Sequence, residues 1–136
     1  MLPSVDPHGA PRVLLVEDHQ DTRQMYAEFL GIEFDVVTAV DGEQALGLLL
    51  SHRPDVIVTD LSLPGIDGFE LIARVRADPA FHMIPIICLS GYGGHAHEQR
   101  ARAAGCDRIL QKPCMPDKLA EIVAELVHDA ASRSQS

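Results

Sequence analysis

Five residues of this 136-residue chain have the types and positions to do chemistry together: the adjacent acids Glu17 and Asp18, then Asp60, the Ser90 hydroxyl and the Lys112 ammonium. Each closes a short apolar run: "RVLLVE" (12–17), "DVIVTD" (55–60), "IPIICLS" (84–90) and "DRILQK" (107–112). An acid at the end of an apolar strand is costly unless something pairs with it. Three carboxylates gathered at one place repel, and either a divalent cation or a buried ammonium offsets that repulsion. Magnesium suits such a set, because it takes oxygen ligands and retains several waters. Asp18 and Asp60 are the candidates for direct ligands, Glu17 for contact through a bound water, and Ser62 for a contribution from its backbone carbonyl.

A carboxylate can also act as a nucleophile and form an aspartyl phosphate. Attack on a phosphoryl group requires in-line placement and compensation of the charge on its equatorial oxygens. Here the metal would take one oxygen and Lys112, a point charge, a second. The Ser90 hydroxyl, with the backbone N–H of Gly91, would take the third. Asp60 is thus expected to be the reactive group of a metal-assisted phosphoryl-transfer site, with Asp60, Ser90 and Lys112 as its catalytic residues.

The elements that must position these groups are legible in the pattern. With "FDVVTAV" (34–40), the four runs above make five apolar segments rich in β-branched residues, as expected of strands covered on both faces. Helical stretches alternate with them. Residues 19–31 carry Thr22, Met25, Tyr26, Phe29 and Leu30 on one stripe, 41–52 carry Ala45, Leu46, Leu49 and Leu50, and 67–77 carry Leu71, Ile72 and Val75. Residues 116–128 carry Leu119, Ile122, Val123, Leu126 and Val127. Asp41 and Asp67 are expected N-caps, and Gly31 and Gly105 expected C-terminal stops. The stretch 93–105 offers only alanines to a core, chiefly Ala101 and Ala104, and is expected to be weakly anchored.

Five βα units in series imply a doubly wound parallel α/β sheet with helices on both faces. Ligands bind such sheets at the carboxyl ends of the strands, where all five candidate residues fall. A single domain over 12–128 is expected, with a flexible leader at 1–11 and a flexible tail at 129–136.

Composition narrows the classes. A net charge of −9 speaks against a nucleic-acid surface, and no apolar run approaches the roughly 20 residues that span a bilayer. The first residues, "MLPSVDPHGAP", lack the features of a secretory signal, so the cytoplasm is the expected compartment. Cys88, Cys106 and Cys114 are odd in number and lack a CxxC spacing, and are read as packed thiols. The seven histidines are read as solvated polar residues rather than ligands.

Taken together, "LLVEDH", "TDLSLPGIDG", "CLSGYGG" and "LQKP", in this order and each at a strand end, resemble the response-regulator receiver domain from residue 12 to about 128. The resemblance implies a flavodoxin-like, five-stranded sheet in the order 2-1-3-4-5. It further implies Mg²⁺-dependent phosphorylation of Asp60 by a phosphohistidine donor, either a sensor histidine kinase or a histidine phosphotransfer protein. Such a chain catalyses only its own phosphorylation and dephosphorylation, and signals to an output protein as a monomer or weak dimer. "SGYGG" is also similar to receivers attached to hybrid kinases, which makes a relay shuttle an alternative.

Two rivals of the same fold class fit less well. A flavodoxin-like cofactor module would need a glycine- and hydroxyl-rich loop where "EDHQD" stands, and those acids repel phosphate. A haloacid-dehalogenase-type phosphatase would need a second Asp at position 62, which is Ser. A receiver-like module that is not phosphorylated would lack an acid or the lysine. One departure from the receiver pattern stands out: Ile109 occupies the place where receivers commonly carry a switching Tyr or Phe. Tyr92 and Ser62 flank the expected path of the hydrolytic water.

Overall fold

Residues 9–91 and 94–134 are described by a computed structural model. Strands and helices alternate without exception: β1 (Arg12–Val16), α1 (Gln20–Leu30), β2 (Asp35–Ala39), α2 (Gly42–His52), β3 (Val56–Asp60), α3 (Gly68–Ala77), β4 (Ile86–Ser90), α4 (Gly94–Ala104), β5 (Arg108–Gln111) and α5 (Pro116–Ser134). The five strands are all parallel and lie in the order β2-β1-β3-β4-β5. The chain therefore leaves β1 in one direction to form β2 and crosses back over it to form β3. The strand order reverses beside β1, at the carboxyl ends of β1 and β3.

Alternation of side chains along each strand divides the core in two. Val13, Leu15, Val58, Ile87 and Leu89 face Tyr26 and Leu30 of α1 and Leu119 and Val123 of α5. Leu14, Val16, Ile57, Ile86 and Cys88 face Leu49 of α2, Leu71, Ile72 and Val75 of α3, and Ala101 of α4. Every residue of β3 and β4 is buried, while the edge strands β2 and β5 are largely half-buried. That pattern explains the near-continuous β-branched spelling of the central strands.

Local signals act where expected. Asp41 accepts the Gln44 N–H at 2.8 Å and Asp67 the Glu70 N–H at 2.9 Å, capping α2 and α3. Gly31 closes α1 and Gly105 follows α4, the latter at φ +118°. The apolar stripes are narrower than their spelling: Met25 and Phe29 of α1 and Leu50 of α2 are exposed. Among the described residues, no helix is long and apolar enough to cross a membrane.

Two boundaries differ from the expectation. α5 continues to Ser134 rather than ending at 128, because Ala130 and Ala131 favour helix and no Gly or Pro interrupts. The described residues begin at Gly9, so most of the expected leader lies outside them. The anchoring of α4 is also richer than alanine alone. Ala101 is fully buried, but His97 additionally packs edge-on against the Phe69 ring of α3, with centroids 4.9 Å apart at 76°. The Arg100 guanidinium lies 4.0 Å from the same ring centroid. His97 is therefore a packing residue, which corrects its reading as merely solvated.

Candidate metal and phosphoryl site

The site forms where β1, β3, β4 and β5 end. Beyond the last residue of β1, the Glu17 N–H still bonds to the Ala39 carbonyl at 3.0 Å, so the ladder carries Glu17 into the interior, where it is fully buried. Asp60 ends β3 and is 3% exposed, and Ser90 ends β4 and is 6% exposed. The Lys112 N–H bonds to the Ser90 carbonyl at 2.8 Å, which carries the β4–β5 pairing to the lysine itself.

From there Lys112 reaches inward. Its Nζ lies 2.5 Å from Asp60 Oδ2 and 3.3 Å from Glu17 Oε1, an ion-paired bridge across 52 and 95 residues of sequence. Burial alone would lower the pKa of this ammonium. The hydrogen bond and charge of Asp60, reinforced by Glu17, outweigh that and hold it above the ordinary lysine value. The other carboxylate oxygen, Asp60 Oδ1, accepts the Ser62 N–H at 3.0 Å.

The loop that follows Asp60 is held close by glycine. Gly68, the first residue of α3, donates its N–H to the Leu61 carbonyl at 3.0 Å. A Cβ at that position would lie 2.6 Å from both the Asp60 carbonyl oxygen and Leu61 Cα, so only glycine lets α3 start there. Gly65, at φ +72°, supplies the turn between Pro64 and the helix.

Asp18 completes the acidic set. Its Oδ1 is shielded from solvent yet makes no hydrogen bond. Its polar contact is the ion pair with His19 Nδ1 at 3.4 Å, and a cation would satisfy it more fully. Three carboxylates against one ammonium leave the pocket acidic, and the donors are oxygens, so the residues fit a hard divalent cation.

The expected residues Glu17, Asp60 and Lys112 are thus in direct contact, with Asp18 next in the chain and Ser90 at the adjoining strand end. Ser62 touches Asp60 through its N–H, while its side chain is exposed. Ile109 is half-buried against the α3–α4 side of the core. Tyr92 lies outside the described residues.

One neighbour went unread in the sequence. His19, grouped with the solvated histidines, donates its N–H to Glu17 Oε2 at 3.0 Å, and its Nδ1 lies 3.2 Å from that oxygen and 3.4 Å from Asp18 Oδ1. The signal was available as the direct succession Glu-Asp-His at a strand end. A second bond also escaped the sequence: the Tyr26 hydroxyl donates to the Cys114 carbonyl at 2.6 Å, tying α1 to the loop after Lys112.

A doubly wound sheet with this acid–lysine pocket defines the receiver class. The family model described as "Response regulator receiver domain" matches residues 13–124, and the chain belongs to that family. It is 37% identical over 114 residues to an uncharacterized 14.6 kDa protein of Leptolyngbya boryana, covering 83% of this chain and 87% of that one. It is 31% identical to the response regulator Rre1 of Synechocystis, covering 85% of this chain but only 51% of Rre1. Among solved structures it is similar to the chemotaxis response regulator CheY4 of Vibrio cholerae, with a TM-score of 0.80, 30% identity, and coverage of 86% of this chain and 98% of that one.

Proposed function

We propose that Asp60 is a phosphoacceptor and that the chain relays a signal by changing its protein contacts when phosphorylated. The donor in this reading is a phosphohistidine on a sensor histidine kinase or a histidine phosphotransfer protein. A carboxylate oxygen of Asp60 forms the new P–O bond as the P–N bond of the phosphohistidine breaks, and the departing imidazole keeps the nitrogen electron pair and takes up a proton. The observation that carries the reading is the Lys112 bridge between Asp60 and Glu17, the residue next to Asp18 in the chain.

Mg²⁺ would be held by Asp18, Asp60 and the Ser62 carbonyl, with Glu17 acting through water, and would neutralise charge on the transferred group. The chain's own residues do the rest. Lys112, already 2.5 Å from Asp60, has only to shift its ammonium from the carboxylate to a phosphoryl oxygen. The Ser90 hydroxyl and the Gly91 N–H would take the third oxygen. The chain turns over only this phosphoryl group and is no enzyme toward other substrates.

A docking surface for the donor adjoins the site. A groove of about 690 Å³ is lined by Thr22, Met25 and Tyr26 of α1, by Lys112, and by the loop through Cys114 and Met115. Met25 and Met115 are 42% and 66% exposed there, apolar contacts beside the reactive lysine. With Ile109 in place of an aromatic switch, Ser90 is the residue that would draw the start of α4 toward the phosphoryl group.

Intact mass after incubation with a small phosphodonor tests the reading. Wild type gains one phosphoryl group with Mg²⁺ and none with chelator, and Asp60→Asn gains none. A wild-type chain that stays unmodified with Mg²⁺, or an Asp60→Asn chain modified equally, overturns it.

A further inference from the structure

We infer that Tyr26 is a positioning residue for phosphoryl transfer: its hydroxyl ties the loop after Lys112 to α1 and thereby sets where the ammonium stands beside Asp60. The inference rests on the reading of Asp60 as a phosphoacceptor and adds a residue outside the set that would hold the metal and the phosphoryl group.

The ring is fixed before the hydroxyl acts. Tyr26 is 3% exposed and packs in the half of the core that holds Leu30 of α1 and Leu119 and Val123 of α5. A phenol buried in this way needs a hydrogen-bond partner. It finds one in the Cys114 carbonyl, 2.6 Å away and 88 residues on in the sequence. Burial raises the pKa of this phenol above the ordinary tyrosine value, so at neutral pH it remains a donor.

The bond falls where the chain has little else to hold it. The β4–β5 pairing ends with the Lys112 N–H on the Ser90 carbonyl, and α5 binds back to the Met115 carbonyl through the Leu119 N–H. Between them, Pro113 has no N–H to give. Among the described residues, Tyr26 supplies the side-chain hydrogen bond that reaches 113–115 from another element. Lys112 stands two residues before the tethered carbonyl, and its ammonium has to meet first Asp60 and then the phosphoryl group. Tyr26, Lys112 and Cys114 also line one groove. Tyr26 packs on the α1–α5 side of the sheet and Ile109 on the α3–α4 side, so the tether is distinct from the aromatic switch whose place Ile109 takes.

The acids that would hold the metal come from β1 and β3 rather than from this loop. Loss of the tether therefore slows transfer and leaves metal affinity alone. A displacement of about 1 Å at a reacting group costs on the order of 100-fold in rate. A slack loop still visits the productive position, so the expected fall is smaller, about fivefold or more.

The test uses the full chain and a small phosphodonor, which needs no groove wall to seat it. The rate of mass gain across a Mg²⁺ series gives a maximal rate and a half-saturating Mg²⁺ concentration. In Tyr26→Phe the maximal rate is expected to fall at least about fivefold, with half-saturating Mg²⁺ unchanged. Ile122→Val trims the same half of the core from α5, controls for lost stability, and is expected to keep the wild-type rate. An equal maximal rate in wild type and Tyr26→Phe, an equal fall in Ile122→Val, or a loss that excess Mg²⁺ restores overturns the inference and leaves the phosphoacceptor reading standing. A wild type that gains no phosphoryl group overturns both.

Discussion

Replacing Lys112 with methionine keeps the length and apolar stem of the side chain and removes the charge that joins Asp60 to Glu17. Both carboxylates are shut off from water while Lys112 is in place, Glu17 completely and Asp60 with a side chain 4% exposed. Removing one partner of a buried ion pair costs about 3–5 kcal/mol, mostly from the charge left behind. The Lys112 side chain is 27% exposed, so water reaches part of the gap and the low end, about 3 kcal/mol, applies. Asp60→Asn removes the more closely paired acid while keeping an oxygen for the Ser62 N–H. In that background only Glu17 is left facing the gap, and Lys112→Met should cost about 1 kcal/mol, a coupling of about 2 kcal/mol. Urea unfolding of the four chains, with divalent ions chelated, measures the cycle. At a slope of about 1.5 kcal/mol per molar, the first substitution lowers the midpoint by about 2 M. Equal costs in the two backgrounds, or a cost below about 1 kcal/mol in the wild-type background, would refute the electrostatic account of the pocket.

Three further outcomes follow from the same geometry. Because the folded chain holds the Lys112 ammonium above its ordinary pKa, that stabilisation is complete below about pH 10.4 and is lost as pH rises through the higher folded value. The stability gap between wild type and Lys112→Met should accordingly stay level from pH 7 to about 9.5 and narrow only in stronger alkali, as chemical denaturation at each pH would record. Gly68→Ala must push its Cβ away from the Asp60 carbonyl and Leu61, destabilising the chain by about 1–3 kcal/mol and slowing mass gain at Asp60, and wild-type behaviour in both would refute the close approach. Tyr26→Phe leaves the Cys114 carbonyl without its donor, and a thermal melt should show a loss of about 1 kcal/mol, with no loss arguing against the 2.6 Å bond.

The sequence by itself determined the elements and the parts of the site. β-branched runs alternating with 3.6-residue apolar stripes place the strands and every helix but α4, which only its alanines and its place between two strands marked, because burial on both faces of a parallel sheet leaves few other spellings. The acids, the serine and the lysine were legible because each interrupts an apolar run at its end, and a chain does not place charge there without use. Tertiary structure decided what the side chains do to one another. Only the folded sheet brings Lys112 between Asp60 and Glu17, since no local pattern encodes a contact across 95 residues. His19 went unread because an imidazole two residues beyond a strand looks like any solvated histidine until the backbone turns it back onto Glu17 and Asp18. The helix 94–104 looked anchored by alanine alone because periodicity counts apolar residues. The packing of His97 and Arg100 against the Phe69 ring depends on polar side chains that such a count passes over. The end of α5 was misplaced for a related reason: helices stop where a breaker stands, and the polar spelling after 128 contains none.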